Sequence, residues 1–457
     1  MGLGQALSTS RNALHSTADQ LGNVSRNIAG ANDHNYVRRL TKTHLDVFGG
    51  AYNTIERMGS STLLANYLSK SSLAMGKSAY ADGLTRLNSI YSSEEFSGSP
   101  SNLLTEFQKA LQNFANDPAQ RIQADAAVSK GASLANALNR GSEEVAKLRS
   151  DAEDDIKNSV EKVNNLLHQL EGVEKQIKMT KDKDQVCFSY MDKRDEILKE
   201  LSQEITITVN TRPDGSIAVY AAEGVTLFDR VPHSLKFQKT ANLGSNNPGN
   251  LVTVDGLPLT HSTFVSPDGG GRIGSLLKLR DDVTVRYQKQ LDGIAKSLMD
   301  IFKGDDKHPA LFIVNKDAHG AEKNLAAYIQ VNPEVFAEKD GNGLLLGDAK
   351  RIQGFVDAFD KKRTFDKESG LDEETSLTEY AQASSGWLSN KYQDAQKSAE
   401  YSVTMFNHIS ESLSNATGVN KDDELAVMLQ LEQSYGASAK IVTAVSKMMD
   451  DLMNAIR

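Results

Sequence analysis

Three stretches of the chain carry residue types and spacings that could do chemistry. Gly269-x-Gly271-x-x-Gly274 has the glycine spacing of a dinucleotide-binding turn and stands directly before a helical pattern. In a nucleotide fold such glycines follow a buried parallel strand and let the backbone approach a pyrophosphate at a helix N-terminus. Here Ser266-Pro267-Asp268 precede them, and one long helical run follows where a second strand ending in an acid would be needed. Gly76-Lys77-Ser78 has the closing residues of a phosphate loop, but the loop's first glycine would fall at Ser71, and no strand pattern leads into it. Cys187 is the single cysteine, so no intrachain disulfide can form, and its neighbours Val186 and Phe188 read as a half-buried thiol rather than a reactive one. The nine histidines never fall at metal-ligand spacing, and no Gly-x-Ser-x-Gly elbow is present. No catalytic residue, cofactor or metal is expected, and the chain does not read as an enzyme.

The composition narrows the partners. A formal charge of −9 over 457 residues argues against broad affinity for nucleic acid or for an anionic membrane. No apolar run approaches the ~20 residues that a membrane span needs. Met1-Gly2-Leu3-Gly4-Gln5 lacks a cationic segment leading into an apolar core, so a cleavable signal peptide is not expected. These cues alone would place the chain in the cytoplasm. At ~150 residues per domain, the length suggests about three domains.

With catalysis set aside, the strongest pattern lies at the two ends. From Gly418 to Arg457 the residues Met428, Tyr435, Val442, Met449 and Ile456 recur at sevens, and Leu431, Ser438, Val445 and Leu452 follow each by three. Only Ser438 interrupts this a/d stripe, which predicts a helix with its seam buried against another helix. Asn420 is placed as the N-cap, and Asp422, Asp423 and Glu424 put negative charge in the first turn. Near the other end Leu7, Leu14, Leu21 and Ile28 also fall at sevens, accompanied by Leu3, Ser10, Thr17 and Val24. This seam is thinner, because two positions of the second column are hydroxylic. A helix so sparsely apolar is marginal alone in water. Both strips are expected to pair with one another and with the strips of neighbouring subunits.

The residues around the first strip bear a resemblance. Ser25-Arg26-Asn27-Ile28-Ala29-Gly30-Ala31-Asn32, followed by Tyr36 and Arg38, resembles the N-terminal signature of bacterial flagellar axial proteins, S-x-N-I-A-N-x-N-T-x-G-[YF]-x-R. Glu424-Leu425-Ala426, Tyr435, Ala437-Ser438-Ala439-Lys440 and Thr443 resemble that family's other terminus. The departures are Gly30 for Asn, Asp33-His34 for Thr-x, and Asn35 for the turn glycine; Asn35 is expected to take a positive φ there. Gly436 in mid-helix should cost about 0.5–1 kcal/mol. Phe107-x-x-Ala110-Leu111-x-x-Phe114-Ala115-x-Asp117-Pro118 and Arg194-Asp195-Glu196-x-Leu198-x-Glu200-Leu201 resemble the hook-associated members of the family, at the first hook–filament junction. Gly274, Leu276, Leu277, Arg280 and Asp281 match the same members' G-x-L-x-x-L-L-x-x-R-D segment, and Val331-Asn332-Pro333 resembles another of their elements.

The resemblance implies an extracellular structural subunit of the flagellum, exported without a cleaved leader and joining hook to filament. It implies as partners copies of the chain itself in a ring or helical layer, the hook protein, the second hook–filament junction protein, and an export chaperone on the C-terminal helix. Leu7, Leu14, Leu21, Val24, Asn27, Ile28, Asn32, Tyr36, Met428, Leu431, Tyr435, Val442, Val445, Met449, Leu452 and Ile456 are the expected subunit-interface residues. Another axial component, such as the second junction protein, a hook or a rod protein, is the alternative.

Between the ends the chain reads as mainly α with a small β-rich part. Residues 1–44 with 418–457 are expected to form a terminal coiled coil. Residues 45–204, 272–303 and 376–417 form a helical body, 205–271 a β-rich outer subdomain and 304–375 an irregular outer segment. The segment from Asp46 to Ser99 reads as helix with breaks. Ser99-Pro100 and Asp117-Pro118 read as helix starts, with Gln120 completing a capping box. Leu134, Leu138, Val145, Leu148, Ala152, Ile156, Val160, Val163, Leu167, Leu170 and Ile177 mark a very long helix forming a packed hairpin arm. Alternating Ile205, Ile207 and Val209 precede the turn Arg212-Pro213-Asp214-Gly215 and a return strand through Ile217 and Val219, with short strands at Leu227, Leu235, Leu251 and Thr263–Val265. Ile273 to Ile301 reads as a helix of about eight turns. Ser376 to Ala416 reads as a polar helix that includes Trp387 as a core residue. The family's larger members carry an insertion before Val331 that is missing here, which implies a slimmer outer part.

Overall fold

The computed structural model describes residues 2–45, 51–90, 98–181, 184–221, 224–241, 243, 248–259, 270–304, 308–314, 324–335 and 348–455. It is mainly helical, with several small antiparallel sheets. Helix α1 (Leu3–Gly30) leads into a hairpin of β1 (Arg39–Leu45) and β2 (Ala51–Arg57), then α2 (Ser61–Ser89), α3 (Pro100–Asn116), α4 (Arg121–Met179) and α5 (Asp184–Glu204). Strands β3 (Ile207–Thr211), β4 (Ile217–Ala221), β5 (Thr226–Asp229) and β6 (Val231–Pro232) form one sheet in that order. A second sheet holds β7 (Leu235–Lys236), β8 (Thr253–Val254) and β9 (Leu257–Pro258). Then come α6 (Gly271–Lys278), a π turn (Leu279–Val283), α7 (Thr284–Ile301), β10 (Phe312–Val314), α8 (Leu325–Tyr328), β11 (Ile329–Val331) and α9 (Ala349–Phe359). The small ribbon β12 (Arg363–Thr364) with β13 (Glu374–Thr375) precedes α10 (Leu377–Thr417) and α11 (Lys421–Ala455).

Two compact units divide the chain. The first takes 1–71, 164–233 and 404–457, and the second takes 72–163 and 234–403. In the first, α1 lies along α11, and the β1–β2 hairpin packs on both α1 and α5. Across the turn from α4 to α5, the Cys187 thiol donates to the Ile177 carbonyl at 3.9 Å and is buried, not half-buried. Gly215 takes φ +85° in the β3–β4 turn, as its place after Arg212-Pro213-Asp214 requires.

The second unit holds the largest apolar core. Phe107, Phe302, Phe312 and Phe359 pack edge-on or tilted around one point, between α3, α7, β10 and α9. Trp387 packs against this core, stacked on Tyr287 at 6.4 Å. The π turn interrupts the long helix of 271–301 where Arg280 is wholly buried. Its guanidinium donates to Glu153 Oε1 (2.5 Å), Asp281 Oδ2 (2.7 Å) and the Asn250 carbonyl (3.0 Å). Removing any one of these acceptors would leave a buried charge short of partners. Every apolar residue listed above for α4 is buried, so the long period was read correctly.

Several expectations need correction. Strand β2 (Ala51–Arg57) occupies ground read as helix, because its sequence lacks the alternation of apolar and polar residues that marks a strand. Asp117 does not start a helix: it closes α3, and Gln120 stands before α4, its carbonyl accepting from Ala124 N–H. Ser99 does cap α3, accepting from Asn102 N–H at 3.3 Å with Pro100 in the first turn. Asn35 has no positive φ; Asp33 Oδ1 makes the turn instead, accepting from Asn35 N–H at 2.9 Å. Residues 304–375 contain a ribbon and the helix α9, whose Ile352, Val356 and Phe359 share one buried face. The strand expected at Thr263–Val265 lies outside the described residues.

The false phosphate motifs acquire a packing role. A Cβ on Gly76 would stand 2.8 Å from both the Gly271 carbonyl oxygen and Ser275 Oγ, so α2 crosses α6 at near backbone contact. Gly76→Val should cost about 1–3 kcal/mol by overpacking, read as a lowered denaturation midpoint with an unchanged m-value. A second test concerns Asp292 on α7, which accepts from Ala326 N–H (2.8 Å) and Gln288 Nε2 (3.2 Å). Burial pushes its pKa from 3.8 up to about 6, against those hydrogen bonds. The native state therefore binds this proton more tightly than the unfolded chain. The contribution is fully present below the unfolded pKa of about 3.8 and is lost as pH rises through about 6. Asp292→Asn keeps the acceptor without the charge. It should raise stability at pH 7 by up to about 2–3 kcal/mol and flatten the pH dependence between pH 4 and 6, measured by urea unfolding.

Candidate functional site

The residues that close the first unit converge where α1 ends and α11 begins. Asn27, in the last turns of α1, is 1% exposed and uses both ends of its amide. Its Nδ2 donates to the Arg39 carbonyl (2.9 Å) and to Glu424 Oε2 (3.1 Å). Its Oδ1 accepts from Arg39 N–H (3.1 Å) and from the Tyr36 hydroxyl (3.0 Å). Glu424, in the first turn of α11 and 2% exposed, also takes Arg38 Nε at 2.7 Å. The Arg38 backbone N–H donates to the Thr417 carbonyl at the end of α10 (2.8 Å), and Lys421 Nζ reaches Asn32 Oδ1 (2.7 Å). One carboxylate thus joins the two ends of the chain. Asn420 does cap α11, its Oδ1 accepting from Asp422 N–H at 3.0 Å. Gly30 is needed beneath this turn, since a Cβ there would stand 2.6 Å from the Tyr36 ring.

A second set of charges fastens the hairpin to α5. Arg39 and Arg57 are paired directly across β1 and β2, and like charges so placed repel. Asp192 resolves this by accepting from Arg57 Nε (2.7 Å) with one oxygen and facing Arg39 Nη2 (3.4 Å) with the other. Asp195 takes Arg57 Nη2 at 2.6 Å, and Ser189 takes Arg39 Nη2 at 2.9 Å. Burial would lower the Arg57 pKa, but Asp195 and Asp192 outweigh it and hold the guanidinium above its usual value. Beside the clasp lies a polar cleft of about 800 Å³, with Tyr36, Arg38, Lys199 and Asp423 in its walls.

The expected interface residues fall into different situations. Asn27 and Tyr36 spend their hydrogen bonds inside the clasp, and Asn32 is exposed beside it. Leu7, Leu14, Leu21 and Ile28 are only half-buried, whereas Ser10, Thr17 and Val24 of the companion column are buried. The column read as weaker is thus the better covered, because a small side chain lets neighbouring backbone close over it where a leucine protrudes. Met428, Leu431 and Val442 are half-buried and Val445 is buried, while Tyr435, Met449 and Leu452 are exposed. Ile456 lies outside the described residues. The clasp partners Arg39, Arg57, Asp192 and Asp195 were not singled out as a set. Arg38, Asp195 and Glu424 stood inside recognisable motifs, yet nothing in a sequence pairs positions so far apart.

Among the described residues no group of acidic, histidine and cysteine side chains could hold a metal, and no helix is long and apolar enough to cross a membrane. The molecule is mainly helical, and its two ends are buckled together by the Arg38–Glu424 ion pair. The profile described as the flagellar hook-associated protein FlgK helical domain matches residues 84–304, and that of the flagellar basal body rod FlgEFG protein C-terminal matches residues 412–455. The chain is 21% identical over 503 aligned residues to flagellar hook-associated protein 1 of Bacillus subtilis (strain 168), covering 98% of each. It is also similar to the flagellar hook junction protein FlgK from Burkholderia pseudomallei, with a TM-score of 0.45 and 21% identity over 55% of this chain and 47% of that one. Residues 84–304 thus resemble the helical domain of the FlgK family of flagellar hook-associated proteins.

Asp192→Asn should leave Arg39 and Arg57 opposed and short of countercharge in a buried site. A loss of about 3–5 kcal/mol is expected in chemical unfolding of the purified chain. Lys42→Ala breaks the exposed Lys42–Glu56 pair on the same hairpin and should change stability by under about 1 kcal/mol.

Proposed function

We propose that this protein is a structural subunit that joins the flagellar hook to the filament, assembling side by side with its own copies through the paired terminal helices. The observation that carries this reading is the distal part of α11, where Ile441, Met448, Met449, Leu452 and Met453 are all exposed within four turns of helix. Apolar side chains repeated at helical spacing and left in water mark a surface awaiting a partner. A layer of copies supplies one, since each can cover its neighbour's ribbon while the clasp keeps α1 and α11 together. Of the expected interface, Leu7, Leu14, Leu21 and Ile28 on α1 and Met428, Leu431 and Val442 on α11 are half-buried, and Tyr435, Met449 and Leu452 are exposed, so all keep apolar side-chain surface open. The hook protein would meet one end of such a layer and the second junction protein the other. The family resemblance supports export through the flagellar apparatus without a cleaved leader, with a chaperone shielding the same C-terminal ribbon until then.

Leu452→Glu places a charge on a side chain that is 49% exposed, so the isolated chain should keep its stability to within about 0.5 kcal/mol. In a strain lacking the native protein, this variant should restore neither motility nor filaments, leaving bare hooks in negative-stain images. Normal filaments on that variant would sink the reading. An absence of hooks in the deletion strain would move the protein to an earlier axial position.

A further inference from the structure

Away from the terminal ribbons, the first unit carries a projection and a recess of opposite character. The projection is the turn from α4 to α5. Met179, at the end of α4, is 76% exposed, and Val186, in the first turn of α5, is 47% exposed. Lys175, Lys178 and Lys181 stand exposed around them. Lys175 pairs with Glu171 (2.7 Å) and Lys181 donates to the Asp214 carbonyl (3.3 Å), while Lys178 enters no ion pair among the described residues. The recess is the polar cleft of about 800 Å³ beside the clasp. Asp33, Glu411 and Asp423 stand exposed in its walls and enter no ion pair among the described residues. The other charges there are committed, Arg38 to Glu424 (2.7 Å) and Asp195 to Arg57 (2.6 Å). Lys199 donates to Asn35 Oδ1 (3.1 Å), and burial holds it below the usual lysine pKa. Leu64 and Tyr67, both half-buried, add apolar surface to the same walls.

We propose that the α4–α5 turn of one copy docks in this cleft of a second copy, with Lys178 and Lys181 against the carboxylates and Met179 on Leu64 and Tyr67. Charge and surface type match, since a basic rim around an apolar tip meets an acidic rim with apolar walls. A thioether also packs well against an aromatic ring. The occupant is another copy because the turn cannot reach its own cleft. Asp195 and Lys199 of the cleft wall lie on the same helix as Val186. From Val186 to Lys199 that helix rises about 20 Å, which a rigid rod cannot fold away. Projection and recess are different surfaces, so the contact is head-to-tail. It repeats around a ring or along a helical layer, where a self-complementary contact would stop at a dimer. This inference rests on the reading that copies assemble with one another, and it adds a contact that the apolar ribbons do not make.

A pair of cysteines in the full-length chain tests the contact. Met179→Cys and Ser414→Cys, placed together in a strain lacking the native protein, should give a ladder of disulfide-linked multimers when isolated hook–filament particles are oxidised. Either variant alone should give only monomer, and the native Cys187 is buried and silent. Charge reversal supplies a second measurement. Lys178→Glu should lower the fraction of hooks carrying a filament by about tenfold or more, and adding Glu411→Lys should restore it to within about twofold. Both side chains are exposed, so the denaturation midpoint of the purified chain should not move. Should the cysteine pair block assembly, the charge swap decides; should a charge variant fold poorly, the cysteine ladder decides. No ladder in assembled particles, a crosslink only to a chain of different mass, or no rescue by the swap overturns the proposal. Failure of the reading of the terminal ribbons shows separately, as normal filaments from Leu452→Glu.

Discussion

Two buried carboxylates, Glu424 and Asp192, are what the first unit depends on. Each neutralises arginines contributed by residues immediately after α1 or at the end of the hairpin, and each is largely shielded from water. Inside a protein such a pair gains little over an apolar replacement, but removing one partner is severe, so the arrangement gives uniqueness more than net stability. The hairpin and α11 can dock on α1 in only one way that satisfies both carboxylates. The direction in which the apolar ribbon of α11 faces then follows from polar chemistry at its base.

This division of labour explains the thin N-terminal seam. An α1 helix held mainly by apolar contacts would need large residues in both columns. Here Ser10 and Thr17 are buried in the column that gave the weaker signal, and Asn23 and Asn27 fill a polar stripe beside it. The Thr17 hydroxyl is satisfied by the Ala13 carbonyl of its own helix at 2.8 Å, so its burial leaves no orphaned donor. Leu7, Leu14 and Leu21 are left incompletely covered, which in a subunit of a larger layer is a resource and in a solitary globular protein would be a liability.

The glycines that imitate nucleotide-binding motifs teach a related lesson. Gly76 and Gly271 come from two different false matches, yet they meet one another where α2 crosses α6. Glycine approaches a phosphate and a neighbouring helix backbone for the same reason, the missing Cβ. A spacing of glycines therefore signals close approach and leaves open what is approached.

The long helices, their apolar faces and the caps at Ser99 and Asn420 were legible in the sequence, because helical periodicity and capping are local and repeat many times over. What tertiary structure alone decided was everything joined over long separations. The β1–β2 hairpin has no alternation of its own and exists because α1 offers it a polar ladder and α5 offers it two carboxylates. Arg38 meets Glu424 across almost the whole chain, and Arg39 meets Arg57 only because Asp192 stands between them. A sequence records which side chains could carry charge or donate a hydrogen bond. Which of them share a buried site is settled by the path of the backbone, because the cost of leaving a buried charge unpaired is felt only once the chain has folded around it.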